Sequence, residues 1–149
     1  MKKECVLLNM ECRNQEEALR ALAQTLVDAG AVKESFPDAV VEREKVYPTG
    51  LPAKICDIAV PHTIGQHVIE PQMAVGVLKT PVEFCQMGSP EIVLNPRVII
   101  MMAINNPQEQ VALLKKLMHL IQDDEALMTI MNAADSAEVV KLIDMCISM

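Results

Sequence analysis

Val98-Ile-Ile-Met-Met-Ala-Ile104 is an apolar run in which no residue alternates with a polar one. A strand with one face in water alternates; an unbroken run suits a strand covered on both faces, and helices are the elements that supply such cover. Arg97 precedes the run, and Asn106-Pro107 follows it, offering a helix N-cap and a first helical position. The stretch predicts a central strand from Arg97 to Ile104 that feeds directly into a helix. It is also the longest uninterrupted apolar stretch in the chain, far short of the ~20 residues that span a bilayer.

Outward from that strand the apolar period changes to helical. After Pro107, with Glu109 in the first turn, the predicted stripe is Val111, Leu114, Leu117, Met118 and Ile121. A short helix from Asp124 to about Ala133 comes next, then a third capped by Ser136 with Val139, Leu142, Ile143 and Cys146 inward. Upstream lie short β-branched strands: Ile58-Ala-Val60 stopped by Pro61, Met73 to Leu78, and Val82 to Phe84. Two helices precede them. Asn14 caps the first, with Glu17 three residues on, Leu19, Leu22, Ala23 and Leu26 at helical spacing, and Gly30 closing it. The second runs from about Phe36 to Tyr47, opened by Ser35, Pro37 and Asp38, with Phe36, Val40 and Tyr47 on one side and Pro48-Thr49-Gly50 at its end. With no repeat, linker or low-complexity segment, residues 1–149 read as one α/β domain. The layout of helices, strands and helices implies a mixed sheet with helices on both faces, and not a strictly alternating doubly wound fold.

Composition bounds the function. The 149 residues carry 13 basic and 20 acidic side chains, a net charge of −7, with 51% hydrophobic residues and only three aromatics. So much apolar surface can bury a core, which excludes disorder. An acidic chain without basic or aromatic clusters lacks the footprint of a nucleic-acid binder. Glu4, Asn9 and Glu11 interrupt any signal-peptide apolar region, and no membrane insertion is expected. Five scattered cysteines without a C-x-x-C pair argue against a disulfide framework and a zinc site, and suit a reducing cytoplasm.

Three histidines remain as chemistry. His62 follows Ile58-Ala-Val-Pro61, where a buried strand emerges and proline stiffens the exit. A neutral imidazole there is a competent nucleophile toward phosphorus, and it is equally a residue that only hydrogen-bonds a loop carbonyl; spacing leaves both readings open. His67 reads as a solvated loop residue. His119, on the helix side with Lys115 and Gln122, reads as a surface residue. The methionines read mostly as core filling. Glu42-Arg43-Glu44-Lys45 reads as a solvated helix face from which an arginine could reach an anion at the strand ends.

Taken together, Val41-Glu-Arg-Glu44, Tyr47-Pro-Thr-Gly-Leu51 and Ile58-Ala-Val-Pro-His-Thr63 resemble the signature of enzyme IIA domains of the bacterial sugar phosphotransferase system, fructose/mannitol type. The likeness extends to the glycine-capped first helix, Pro71 before a strand, Val82-Glu-Phe84, the apolar strand ending at Ile104 and the Leu-rich helix after Pro107. It implies the IIA mannitol/fructose fold. It implies that His62 accepts a phosphoryl group on Nε2 from the phosphohistidine of the phosphocarrier protein and passes it to a cysteine of enzyme IIB. Arg43 matches the family arginine that would hold the phosphoryl oxygens; Thr49, which matches the family's turn threonine, and Thr63, beside the histidine, could donate hydroxyl hydrogen bonds to them. Gln110 stands where mannitol- and fructose-like members carry a second histidine, and an amide cannot become cationic. The Asn106-Pro-Gln-Glu-Gln110 opening is similar to the galactitol-type branch, which implies a galactitol-like polyol. No metal or organic cofactor is implied, because the donor is already an activated phosphoramidate. Docking is expected through a Met- and Leu-rich apolar patch around His62, with Cys56 assigned to packing. The rival reading is a regulatory module of the same fold, phosphorylated on His62, that acts on a transcription regulator or an enzyme. A ligand-binding domain without phosphorylation has little in the sequence to support it.

Overall fold

The computed structural model describes residues 1–148. The run that opens the sequence reading is strand β7 (Val98–Ala103), buried along its whole length, and it belongs to a seven-stranded sheet of order β1-β4-β7-β3-β2-β5-β6. The other strands are β1 (Val6–Met10), β2 (Gly50–Leu51), β3 (Ile58–Ala59), β4 (Gln72–Leu78), β5 (Phe84–Gln86) and β6 (Ser89–Leu94). Parallel pairs (β1 with β4, β3 with β7, β2 with β5) alternate with antiparallel ones (β4 with β7, β2 with β3, β5 with β6), so the sheet is mixed as expected. The longest register joins β4 to β7, from Gln72 opposite Ala103 to Val77 opposite Val98.

Successive residues of a strand point to opposite faces, and β7 uses both. Ile99, Met101 and Ala103 pack on the side covered by α1 (Gln15–Asp28) and α2 (Phe36–Val46). Val98, Ile100 and Met102 pack on the side covered by α3 (Pro107–Ile121), α4 (Asp124–Met131) and α5 (Ser136–Ile147). The helix signals hold in detail at several ends. Asn14 caps α1 by accepting from the Glu17 N–H, Asn106 caps α3 by accepting from Gln108 and Glu109, and Gly30 takes φ +74 at the end of α1, a conformation that favours glycine.

The differences from expectation each have a local cause. Strand β1 occupies the segment read only as a failed signal peptide: its Asn9 takes φ 55, which breaks the period. Strand β6 was unmarked because it is an edge strand with exposed Ile92 and Val93 and a Pro90 that suits only an edge. The strand expected at Val82–Phe84 begins at Phe84, with Val82 buried just before it. Helix α3 buries Leu113, Leu117, Leu120 and Ile121, leaving Val111 and Met118 exposed. That helix is apolar around so much of its circumference that periodicity does not choose the inward face; the sheet does. Asp135, one residue before the expected Ser136, caps α5 by accepting from Glu138. On α2 the inner row is Phe36, Val40, Val41 and Glu44, whereas Tyr47 lies past the helix end and is 60% exposed. Among the described residues no helix is long and apolar enough to cross a membrane.

If β7 anchors both layers, Met101→Ala, at a site of zero exposure, costs roughly 2–5 kcal/mol in urea unfolding. Met145→Ala, at an exposed position of α5, stays within about 0.5 kcal/mol. Equal costs at the two positions would contradict the layer assignment.

Candidate functional site

Strand β3 lies between β2 and β7 and runs parallel to β7, so the chain emerges from β3 at the same end of the sheet as β7 does. Crevices outside the carboxyl ends of parallel strands are habitual ligand positions. Val60 and Pro61 are buried, and the N–H of Met102 donates to the Pro61 carbonyl at 3.0 Å, which extends the β3–β7 pairing to the residue before His62. Past β7 the chain turns at Asn105 into the N-terminus of α3, whose first N–H groups are taken up by Asn106 and whose helix dipole favours negative charge. Gly65 lets the segment after His62 lie against that turn: a Cβ there would come within 2.5 Å of the Asn105 carbonyl oxygen.

The His62 ring is partly buried, and Nδ1 lies 2.9 Å from the Val60 carbonyl oxygen. A carbonyl only accepts, so in the neutral ring Nδ1 carries the proton and Nε2 carries the lone pair. Burial pushes the His62 pKa below 6.5 and the nearby Arg43 charge pushes the same way, opposed by the bond to Val60. The two readings left open for this histidine are therefore compatible: the carbonyl contact is what leaves Nε2 bare.

Arg43 projects from the last turn of α2 with its guanidinium 4.8 Å from the centre of the Tyr47 ring, a cation–π contact. Its Nε is buried and has no hydrogen-bond partner within the chain, an uncommon state for a buried donor. Thr49 is buried; its hydroxyl and its N–H both donate to the Glu44 carboxylate at 2.7 Å. The single hydroxyl proton is thus directed at Glu44. Thr63 is buried beside His62, and its carbonyl oxygen accepts from the Gln110 side-chain amide at 3.4 Å, which brings Gln110 to the edge of the site. The fold thereby brings His62, Thr63 and Gln110 together at one strand end, with Arg43 near enough for its charge to act on the ring and Thr49 joined to Val60 through its carbonyl.

The other two histidines are elsewhere. His67 is half-buried in a short 3-10 turn and its Nδ1 bonds the Ser35 hydroxyl at 2.8 Å, so it ties the loop to the start of α2 and is less solvated than expected. His119 is exposed on α3. The apolar residues exposed in the segments carrying Arg43 and His62 are Val46, Tyr47 and Ile64, in place of the expected methionines and leucines. Among the described residues no group of three or more His, Cys, Asp or Glu side chains could hold a metal ion.

Glu44 escaped the sequence reading. It sits in a charged run, yet Phe36, Val40 and Glu44 follow one another at intervals of four, and that spacing marks it as inward-facing. Only 3% exposed, its carboxyl is pushed by burial from the usual 4.5 to about 7, against the pull of the Thr49 bonds and of Arg43.

The sequence matches the family described as the phosphoenolpyruvate-dependent sugar phosphotransferase system, EIIA 2, over residues 1–146. The chain belongs to that family. It is similar to the mannitol-specific EIICBA component of Escherichia coli K12, at 30% identity over 94% of this chain and 21% of the relative. It is also similar to the galactitol-specific EIIA component of the same strain, at 24% identity over 83% of this chain and 81% of the relative. The matched region of the mannitol-specific relatives is thus a small part of much longer chains, 12% of the one from Pasteurella multocida. Among solved structures, the crystal structure of IIA mannitol from E. coli superposes with a TM-score of 0.79 at 24% identity, over 96% of this chain and 98% of that one. The E. coli complex of enzyme IIAMTL with phosphorylated enzyme IIBMTL gives 0.80 at 23%, over 97% and 96%. These likenesses establish the IIA mannitol fold.

Two titrations follow from the geometry. NMR of the ring protons should place the His62 midpoint below 6.5, and Arg43→Gln should raise it by removing a like charge; an unchanged midpoint would separate the two residues. For Glu44 the folded pKa lies above the unfolded one, so its contribution to stability is full below about 4.5 and is lost as pH rises through about 7. The parent should therefore lose stability relative to Glu44→Gln across that window in chemical unfolding, and a gap independent of pH would contradict it.

Proposed function

We propose that the chain is a phosphoryl-transfer component that cycles through phospho-His62. The observation that carries this reading is the bare Nε2 of a neutral imidazole, held by Val60 at the strand end and within reach of the charge of Arg43, whose Nε is buried and unpartnered. Nε2 attacks the phosphorus of a phosphohistidine on the phosphocarrier protein; the N–P bond of the donor breaks as that of His62 forms, and no proton need leave Nε2. The Arg43 guanidinium, whose position Tyr47 fixes, donates to the equatorial oxygens as charge spreads over them. Thr63 and the Gln110 amide are the neutral donors at the rim, and Thr49 acts from below through Glu44. In the second half of the cycle a cysteine thiolate of enzyme IIB attacks, the S–P bond forms, and the electron pair of the N–P bond returns to Nε2.

Docking is shallow, through exposed Val46, Tyr47 and Ile64 next to Arg43 and His62, and the net charge of −7 draws partners with basic surfaces. The cytoplasm is the compartment of this cycle, in keeping with cysteines that are all unpaired. Residues 1–149 act as one EIIA unit. A hexitol is the sugar class the relatives suggest, and Gln110 with the Asn106-Pro107 opening favours the galactitol-like side.

Incubation with phosphoenolpyruvate, enzyme I and the phosphocarrier protein should add one acid-labile phosphoryl group by intact-protein mass spectrometry. His62→Ala should abolish the gain, while His67→Ala and His119→Ala keep it. Labelling that survives in His62→Ala would overturn the assignment. A chain that takes up the group and passes it to no IIB protein would be a regulatory module.

A further inference from the structure

We propose that Glu44 is a positioning residue for the phosphoryl acceptor, acting through Thr49 and the Val60 backbone to hold the carbonyl that fixes the His62 ring. The inference rests on His62 as the acceptor and adds the element that sets its tautomer.

The position is the first observation. Phe36, Val40 and Val41 make the inner face of α2 apolar, and the next inward position holds a carboxylate with only 3% exposure. No lysine or arginine lies within ion-pair distance of it among the described residues, so its burial is not offset by a direct salt bridge. A Leu or Met would fill the same space without that cost. What the carboxylate does instead is accept both donors of one residue: Oε2 from the Thr49 N–H and Oε1 from the Thr49 hydroxyl, each at 2.7 Å.

The second observation is what Thr49 holds in turn. Its carbonyl oxygen accepts the Val60 N–H at 3.2 Å. Because Pro61 has no N–H, the Val60 N–H is the last backbone donor before His62. The Val60 carbonyl then accepts from His62 Nδ1 at 2.9 Å. Strands β2 and β3 pair over only two residues each, so the two Glu44–Thr49 bonds reinforce a short ladder. The His62 platform is thus gripped from two sides, by β7 through the Pro61 carbonyl and by α2 through Glu44 and Thr49. Without the carboxylate, two buried Thr49 donors lose their acceptors, and the turn moves to find water. Val60 moves with it, and the ring gains access to its other tautomer, in which Nε2 carries the proton and cannot attack.

The test is NMR of the protein carrying 15N-labelled histidine, paired with the rate of phosphoryl uptake from the phosphocarrier protein. In the parent, His62 should show a pyrrole-type Nδ1 and a pyridine-type Nε2. Glu44→Ala should mix the two tautomers and slow uptake about 10- to 100-fold in kcat with an unchanged KM, because a buried residue does not touch the partner. Glu44→Gln should restore both readouts, since its carbonyl can accept the Thr49 N–H and its amide can donate to the Thr49 oxygen. Should Glu44→Ala fail to fold by circular dichroism, Thr49→Val, which removes one of the two bonds, should show the same tautomer mixing to a smaller extent. An unchanged ring signature and uptake rate in a folded Glu44→Ala, or in Thr49→Val, would overturn the proposal and leave His62 as the acceptor untouched. Tautomer mixing in Glu44→Ala with a parent that takes up no phosphoryl group would sustain the positioning role while removing the acceptor role.

Discussion

The bond from His62 Nδ1 to the carbonyl oxygen two residues back does more than orient a ring. It assigns the proton, and with it the lone pair, and a phosphoryl acceptor is useful only if the nitrogen facing its donor is bare. Burial and the Arg43 charge keep the ring neutral while the carbonyl keeps the tautomer, so protonation state and proton position are set by different groups. In the proposed cycle, the same Arg43 that disfavours an imidazolium before the reaction favours the anionic phosphoryl group once it arrives. Its unpartnered Nε is a strained feature for a resting chain and a natural one for a site that binds charge transiently.

Such a bond needs a fixed carbonyl, and the rest of the fold supplies it. Strand β7, buried on both faces, holds β3 in parallel register and reaches Pro61 directly. The helix that follows β7 aims its N-terminus at the same strand end, and Gly65 permits close contact between the loop after His62 and the Asn105 turn. On the opposite side, buried Glu44 ties down the turn beside the two-residue β2–β3 ladder. The His62 ring is therefore held from below by backbone contacts while remaining partly exposed, which suits the proposed transfer between proteins that must dock and part.

What the sequence made legible follows the strength of each local signal. The unalternating Val98–Ile104 run, the Asn14 and Asn106 caps and the Gly30 terminus each bear one interpretation, and the structure agrees with them. Edge strands β1 and β6 were silent because a bent Asn9 and an edge proline erase the alternation that marks a strand. The inward face of α3 was misjudged because so much of that helix is apolar. In the site, His62 could be singled out by its residue type and strand-end placement, and Arg43 only by the resemblance of its motif to the family signature. The Glu44–Thr49 contact could not, since a glutamate in a charged run looks solvated until the four-residue spacing from Phe36 and Val40 is weighed.

If Val60 holds the proton on Nδ1, the phosphoryl group of the proposed cycle goes to Nε2 of His62. The most direct measurement is the one-bond 31P–15N coupling in the phosphorylated chain carrying 15N-labelled histidine. The coupling should be to Nε2 of His62, with Nδ1 still protonated and bonded to the Val60 carbonyl. A coupling to Nδ1, or to a ring other than His62, would contradict it.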